Sequence, residues 1–275
     1  MSVKIKRGVL YVCLSVLAAM CLLPFLLMIV NATRSGVEIT HSFTLIPSSH
    51  LKDNWEALFA YVNLFTGFRN SIIVAVPATI LTAYFSAITA YAMAVYRFKG
   101  NKWLFKIIVV FMMIPAQLSL IGFYNLCQKL HMVDSYLPLI LPAIASPGTV
   151  FFLRQYVQAT LSRALLEAAR IDGASEIHIF HKIVLPIMAP GIATMSIGAF
   201  IGNWNSYLVP LILLNTPEKM TLPVMITTLN AATDLQKNQG AIYLGVAISV
   251  VPILIVFCFC SKYIISSISA GSVKE

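Results

Sequence analysis

The sequence is poor in charged residues, which make up only 11% of its 275 positions. Soluble domains carry about 25% Asp, Glu, Lys and Arg, so this deficit indicates a chain whose solvent is largely lipid. The mean hydropathy of +0.85 agrees. The net charge of +9 does not indicate nucleic acid, because the basic residues lie in short clusters beside apolar runs and form no basic face. We therefore predict an all-α protein of the lipid bilayer with no nucleic-acid partner.

Several constellations that carry chemistry are also absent. No Gly-x-x-x-x-Gly-Lys-Ser/Thr loop occurs, so the chain has no ATP-binding loop of that kind. The five cysteines lack metal-ligand spacing, and Glu176, His178 and His181 do not form a His-Glu-x-x-His motif. No Gly-x-Ser-x-Gly or Ser-His-Asp arrangement is visible. We predict no metal site, no cofactor and no catalytic residue in this chain.

Long apolar runs occupy most of the sequence, and we predict six transmembrane helices in a single domain, residues 1–275. The spans are placed at about 9–30, 72–95, 103–126, 136–153, 187–214 and 241–261. The first run is longer than the apolar region of a secretory signal, so we expect it to be retained. Residues 154–186 form a polar loop between the fourth and fifth spans.

The distribution of Lys and Arg predicts the orientation of these spans. Thirteen of the 19 basic residues lie in the N-terminal tail, residues 96–106, residues 154–186 and the C-terminal tail. Cytoplasmic loops are enriched in Lys and Arg, so we expect both termini and the 154–186 loop to be cytoplasmic. The span cores contain no Asp, Glu, Lys, Arg or His, with Lys106 only at the rim of the third span, and this argues against an ion-driven carrier. Energy for any transport would have to come from a partner.

The polar loop has a helical period and predicts a helix–turn–helix. Small and apolar residues of its first helix are predicted to share one face, at Leu165, Ala168, Ala169 and Ile171. Gly173 then permits a sharp turn at positive φ. A second short helix follows, and we expect Pro186 to stop it. The alternative is an ordinary amphipathic hairpin on the bilayer surface.

The same residues resemble the cytoplasmic loop motif of permease subunits in ATP-binding-cassette importers. The Glu-Ala-Ala, Gly and Ile-x-Leu-Pro elements occur at the family's spacing, at Glu167, Ala168, Ala169, Gly173, Ile183, Leu185 and Pro186. The flanking text resembles the carbohydrate branch, in the manner of the second maltose-type permease. The resemblance implies a MetI-like fold whose coupling helix, from about Ala168 through Asp172 to Gly173, contacts a separate ATPase. It also implies that Glu167 holds the loop through polar contacts.

The C-terminal tail resembles the Ala-Gly-x-Val-Lys-Gly ending of the same branch. Residues 270–274 fit that ending, whereas Glu275 replaces its final glycine. The resemblance implies that Gly271, Val273 and Lys274 contact the ATPase. A frayed polar terminus is the alternative.

The fifth predicted span contains a polar and aromatic cluster at Asn203, Trp204, Asn205 and Tyr207. Aromatic rings stack on the apolar faces of sugars and amides bond their hydroxyls, so this cluster is a candidate substrate pathway. The stretch also resembles the family's Trp-Asn-x-Tyr/Phe-Leu-x-Pro-Leu segment. Asn70 is a second, weaker candidate. Interfacial aromatics and helix-bridging amides remain alternatives for both.

The family resemblance implies a permease subunit of an ATP-driven carbohydrate importer in a bacterial cell membrane. Its expected partners are a second related permease, two ATPase subunits that bind the ATP, and an extracytoplasmic sugar-binding protein received by residues 32–69. Two alternatives stay open. One is a permease for another polar solute such as glycerol phosphate, and the other is a membrane scaffold or intramembrane enzyme without transport activity.

Overall fold

The computed structural model describes residues 3–231 and 238–272, and within these ranges every regular element is helical. The prediction of an all-α protein is confirmed. Fourteen helices occur in the described ranges: α1 (Val3–Asn31), α2 (Gly36–His41), α3 (Leu51–Tyr61), α4 (Leu64–Val95), α5 (Asn101–Met112), α6 (Leu120–Lys129), α7 (Leu137–Ile140), α8 (Pro147–Thr160), α9 (Arg163–Ile171), α10 (Glu176–Ile179), α11 (Leu185–Trp204), α12 (Leu208–Leu213), α13 (Leu222–Ala231) and α14 (Gln239–Ser272).

Five helical segments in the described part of the chain are long and apolar enough to cross a bilayer: Arg7–Asn31, Leu64–Val95, Leu137–Thr160, Glu176–Trp204 and Gln239–Phe259. A sixth exists if the helices Asn101–Met112 and Gln117–Lys129, bent by 87°, count as one span. We expected this third span to be a continuous helix over 103–126. Pro115 lies at the break, and a proline removes one backbone donor and crowds the preceding turn.

Proline also divides the predicted fourth span, 136–153. It consists of α7, a short 3-10 turn at Leu141–Ile144, and α8, which continues to Thr160. Each of the three pieces has a proline in its first turn, where a missing amide hydrogen leaves no helical bond unmade. The predicted fifth span, 187–214, is also divided. Its helix α11 ends at Trp204, and α12 begins only at Leu208.

Pro186 does not stop a helix, contrary to the prediction. A π-helical turn at Phe180–Val184 joins α10 to α11, so that the segment Glu176–Trp204 continues into a candidate span. Pro186 is the second residue of α11. The π turn interrupts the ordinary i→i−4 hydrogen bonds just before Pro186. The amide hydrogen that proline lacks therefore leaves no regular helical bond unmade at this point.

The chain divides into two compact units. Unit 1 contains the described residues up to Phe68 and those from Leu222 to Pro252, and unit 2 contains the described remainder. We predicted one domain over 1–275, and we describe each unit by itself.

Unit 1 has a small polar core. The buried Arg34 guanidinium donates to the carbonyl oxygens of Glu38 at 2.6 Å and Ser42 at 2.9 Å. The buried Asn54 amide donates to the carbonyls of Ala32 and Arg34 at 2.8 and 2.9 Å. Buried polar groups are stable only when hydrogen-bonded, and these bonds therefore fix the segment that follows α1.

Unit 2 has an apolar cluster that includes the predicted helix–turn–helix. Its buried members come from α4, α8, α9, α10, the π turn and α11: Ala87, Ala90, Tyr91, Leu153, Val157, Leu166, Ala169, Ile179, Phe180, Val184 and Met188. Close packing of this kind resists deformation. The polar loop is therefore packed directly against α4, α8 and α11.

Candidate functional site

The helix–turn–helix, residues 163–184, turns at the predicted glycine. Gly173 has a φ of +78°, and a Cβ added there would meet no atom within 4 Å. The backbone conformation, not space, selects glycine here. The Ala174 amide donates to the carbonyl of Ala169 at 3.0 Å, and the Ser175 hydroxyl accepts from the His178 amide, which begins α10. We call this element the hairpin.

The buried face of α9 differs from the predicted one. Leu166 and Ala169 are buried, while Leu165 and Ile171 are exposed, the latter at 86%. The prediction placed Leu165, Ala168, Ala169 and Ile171 on one face of α9, but these residues do not all lie on the same side of the helix. Leu165 and Ile171 belong to the outward side, and Ala169 belongs to the packed side with Leu166, at a spacing of three. The hairpin therefore presents apolar residues to its surroundings, and Ile177 in α10 adds a further one at 74% exposure.

Three polar side chains, Tyr96, Arg170 and Glu176, hold the hairpin together, and we call them the hairpin clamp. Arg170 Nε lies 2.7 Å from Glu176 Oε1, and the Tyr96 hydroxyl donates to the other carboxylate oxygen. The Arg170 guanidinium also lies 5.9 Å from the centre of the Tyr96 ring. The hydrogen bond to Glu176 raises the pKa of Arg170 further above its usual value. Burial, followed by the bond to Glu176, raises the pKa of Tyr96.

An aromatic stack lies behind the hairpin clamp. Tyr91 lies 5.6 Å from Tyr96 and 5.6 Å from Phe180, measured between ring centroids. Tyr91 and Phe180 belong to the buried apolar cluster. The end of α4 is thereby joined to both arms of the hairpin.

The motif residues divide into contacting and exposed groups. Ile183 and Leu185 pack against the apolar cluster. Glu167, Asp172 and Pro186 are exposed. We expected polar contacts from Glu167 to hold the loop, but its side chain makes no hydrogen bond or ion pair to any residue that the structure describes; the hairpin clamp performs that task instead.

The predicted tail contact lies at the C-terminal end of the chain. Gly271 lies near the end of α14, and Val273 and Lys274 lie outside the described residues. Their contact with an ATPase stays a prediction.

Of the predicted pathway residues, Asn203 lines both of the cavities described below. Trp204 is buried and stacks on Phe200 at 5.6 Å, Asn205 follows the end of α11, and Tyr207 precedes α12. Asn70 is fully buried, and its amide donates to the carbonyl of Glu218 at 2.8 Å and to that of Met220 at 2.9 Å. In this conformation Asn70 and Trp204 serve packing and offer no surface to a solute.

Two cavities of unit 2 meet at Asn203 and Ala143. The first has a volume of about 310 Å³, and its polar lining is Ser71, Ser119, Asn203, Ser206 and Thr221. The second has a volume of about 470 Å³ and lies between α8 and α11, along Thr149, Thr194, Gly198 and Gly202. Periodicity did not identify most of these residues, because single hydroxyls in an apolar run form no motif.

A second polar clamp lies beside the first cavity, and we call Asp134, Thr216 and Lys219 the loop clamp. Asp134 Oδ2 accepts from Lys219 Nζ at 2.7 Å and from the Thr216 hydroxyl at 2.6 Å, while Oδ1 accepts from the amides of Asn215 and Thr216. These bonds, that to Lys219 first, hold the pKa of Asp134 well below its usual range. The carboxylate therefore stays ionised and orders the segment after α12.

The described residues contain no group of three His, Cys, Asp or Glu side chains placed to hold a metal ion.

Comparison with known proteins gives matches along most of the chain. The family model for the binding-protein-dependent transport system inner membrane component matches residues 80–269. The arabinooligosaccharides transport system permease protein AraQ of Halalkalibacterium halodurans is 37% identical over 262 residues, covering 94% of this chain and 93% of the relative. The diacetylchitobiose uptake system permease protein NgcG of Streptomyces coelicolor is 29% identical over 255 residues, covering 92% and 84%.

A solved structure has the same fold. A chain of a bacterial ABC transporter that imports the acidic polysaccharide alginate superposes with a TM-score of 0.81 at 24% identity, covering 95% of this chain and 97% of that one.

Proposed function

Because the chain belongs to the family of binding-protein-dependent transport system inner membrane components, we propose that it moves carbohydrate through a bacterial cell membrane, driven by an ATPase that holds its hairpin. The family places it as a multi-pass permease subunit of an ABC importer with the MetI-like fold. ATP hydrolysis belongs to a separate subunit, and a substrate-binding protein delivers the solute. One observation carries the proposal: a packed hairpin exposes Glu167 and Ala168 of the Glu-Ala-Ala motif together with two large apolar side chains.

The exposed side of the hairpin is the proposed ATPase contact. Ile171 and Ile177 are 86% and 74% exposed, and full burial of such a side chain is worth about 1.5–3 kcal/mol. Glu167 and Asp172 lie beside them with their carboxylates exposed. A cleft that is apolar at its base and polar at its rim would complement this surface.

The hairpin's packing supports the transmission of force. Leu166, Ala169 and Ile179 anchor both arms in the apolar cluster, and the π turn continues the second arm into α11. A rigid body displaced at one end moves at the other, so closure of two ATPase subunits on ATP would tilt α11 and its neighbours. The pathway would then alternate between its inward-facing and outward-facing forms.

The relatives and the cavity chemistry support a carbohydrate solute. AraQ and NgcG are named for oligosaccharides, and the two cavities offer hydroxyls and an amide that can bond sugar hydroxyls. The basic residues favour cytoplasmic termini. The proposed assembly contains a second related permease, two ATPase subunits and an extracytoplasmic sugar-binding protein.

The test is to express the chain with its cognate importer subunits and to compare the wild type with Ile171→Asp and Ile177→Asp. We expect the wild type to co-purify with an ATPase and to support ATP-dependent uptake of a neutral oligosaccharide. Each variant should lose at least about tenfold in co-purified ATPase, since a desolvated carboxylate opposes docking. Val37→Asp, which alters an apolar residue of α2 that is 67% exposed, is the matched control. Normal co-purification by both hairpin variants would contradict the proposal.

A further inference from the structure

The first cavity contains a buried hydroxyl without a partner. Thr221 lines the cavity and is 4% exposed, and its Oγ1 makes no hydrogen bond within the described chain. Buried hydroxyls are almost always paired with protein or with an ordered water, so an unpaired one beside a cavity marks a position where a polar group in the cavity can bond. Thr221 follows directly on Met220, whose carbonyl is held by Asn70, so its backbone is fixed before any ligand binds.

The remaining lining has the chemistry of a sugar site. Ser71, Ser119 and Ser206 add hydroxyls, and Asn203 adds an amide. Phe123 adds an aromatic ring, and the rest of the lining is aliphatic. The described lining contains no Asp, Glu, Lys, Arg or His. Neutral donors and acceptors around an apolar floor suit a polyhydroxylated ring, whereas a carboxylate or phosphate would lack a cation to offset its desolvation.

The volume limits the occupant. Ligand cavities span about 300–1,000 Å³, and this one, at about 310 Å³, lies at the lower end. One sugar ring fits such a space better than a whole oligosaccharide. The wall is fixed by the neighbouring loop clamp, because Asp134 holds Thr216 and Lys219 just before Thr221.

We propose that the first cavity is a subsite of this chain for one uncharged sugar ring, in which Thr221 and Asn203 bond ring hydroxyls and Phe123 contacts the apolar face. The proposal rests on the carbohydrate transport function and deepens it, because it excludes uronic acids and phosphorylated solutes from this position. The residues that line the subsite and are named here all belong to unit 2 of this chain.

The first experiment measures occupancy directly in the assembled transporter. Val209→Cys places a thiol in the cavity wall without removing a polar group. Its alkylation by N-ethylmaleimide is followed at that residue by mass spectrometry, with arabinotriose, maltotriose or a tri-uronic acid at millimolar concentration. We expect at least one neutral trisaccharide to slow alkylation about fivefold or more and the tri-uronic acid to have no effect. Alkylation unaffected by neutral sugars, as a lipid-filled cavity would give, overturns the proposal, and so does equal protection by the tri-uronic acid.

The second experiment removes the unpaired hydroxyl at constant volume. With Thr221→Val in the Val209→Cys background, we expect the sugar concentration for half protection to rise about tenfold, as loss of one ordinary hydrogen bond predicts. Thr79→Val is the control, because the Thr79 hydroxyl bonds the Ala75 carbonyl within α4 and lies outside the cavity. An unchanged half-protection value in Thr221→Val overturns the assignment of Thr221.

ATPase co-purification and ATPase activity are measured on the same samples. If the ATPase is present and active but sugars give no protection, the subsite fails and the proposed function stands. If no ATPase co-purifies, the proposed function itself fails.

Discussion

The two polar clamps of unit 2 each contain one ion pair between a basic side chain and a carboxylate, but they stabilise different kinds of structure. In the hairpin clamp, Arg170 and Glu176 join two arms of one element that already packs on an apolar cluster. In the loop clamp, Asp134 lies in the loop after α6 and bonds the Asn215 and Thr216 amides and Lys219, which lie more than eighty residues later in the segment after α12. The first clamp stiffens a packed body, and the second gives order to a segment that has little packing.

The difference predicts unequal dependence on each clamp. Removing one charge from the hairpin clamp leaves the apolar cluster to hold the hairpin, so the cost should appear in coupling more than in folding. Removing the charge of Asp134 should free the segment at 215–220 locally while unit 2 stays folded. Three substitutions, ordered by expected effect, test this contrast.

The largest effect is expected from Gly173→Val, which changes the geometry on which the hairpin clamp depends. A β-branched residue at φ +78° costs about 1–2 kcal/mol or more, so the turn should rearrange and the two arms should lose register. We expect ATP-dependent uptake to fall at least about tenfold while membrane insertion persists in part.

Gly173→Asn is the matched control for this change. Asparagine tolerates positive φ, and no atom lies within 4 Å of the added Cβ, so we expect most uptake to remain. Normal uptake by Gly173→Val would show that the turn geometry is not needed for transport.

A smaller effect is expected from Glu176→Gln. Partly exposed ion pairs contribute about 0.2–1 kcal/mol, so the hairpin should stay folded. Since the bonds from Arg170 and Tyr96 both weaken, we expect the solute moved per ATP hydrolysed to fall about two- to fivefold. Glu56→Gln is the control, because its pair with Lys52 at 3.8 Å is largely exposed. If Glu176→Gln moves as much solute per ATP as the wild type, the apolar cluster alone holds the hairpin rigid and the hairpin clamp is not needed for coupling.

The smallest effect on transport is expected from Asp134→Asn, which keeps the positive φ of 59° that asparagine tolerates but removes the charge. The measurement is hydrogen exchange at the Asn215 and Thr216 amides, which we expect to become about tenfold faster. Exchange elsewhere in unit 2 should not change. Asp53→Asn, in the exposed pair with His50, is the control. Spread of the faster exchange through unit 2 would contradict a local role.

The pH dependence of the loop clamp follows from the depressed pKa of Asp134, to which the Lys219 bond contributes most. A carboxylate of this kind stabilises the fold fully above its unfolded-state pKa of about 4, and the contribution is lost as pH falls through the lower folded-state pKa. After correction for intrinsic exchange, protection at Asn215 and Thr216 should therefore be constant from pH 8 to 5. Loss of protection at pH 5 in the wild type would show that the clamp is weaker than its geometry implies.

Local sequence features predicted the parts of this molecule that depend on neighbours in the chain. Apolar runs identified the helical spans, and Gly173 identified the turn, because both depend on backbone and side-chain properties within a few residues. The prediction that Pro186 stops a helix was wrong. It considered only the local effect of proline, whereas a π turn with i→i−5 hydrogen bonds continues the helix into α11.

The two clamps and the first cavity could not be predicted in this way. Tyr96 and Glu176 are 80 residues apart in sequence, and Asp134 and Thr216 are 82 residues apart. No sequence periodicity connects positions at such separations. Asn70 and Trp204 were assigned to the pathway from their chemistry, and the sequence did not show that both side chains are buried in this structure. The types of side chain were visible in the sequence, but their neighbours were not.

The central claim is that ATPase work enters this chain through the exposed side of the hairpin. The most direct measurement places a photoreactive amino acid at Ile171, with Val37 as the matched exposed position, in the assembled transporter. We expect irradiation to crosslink position 171 to the ATPase in high yield, with a yield that changes on ATP binding, and position 37 to give no ATPase crosslink. Uptake that continues while position 171 forms no ATPase crosslink would contradict the account.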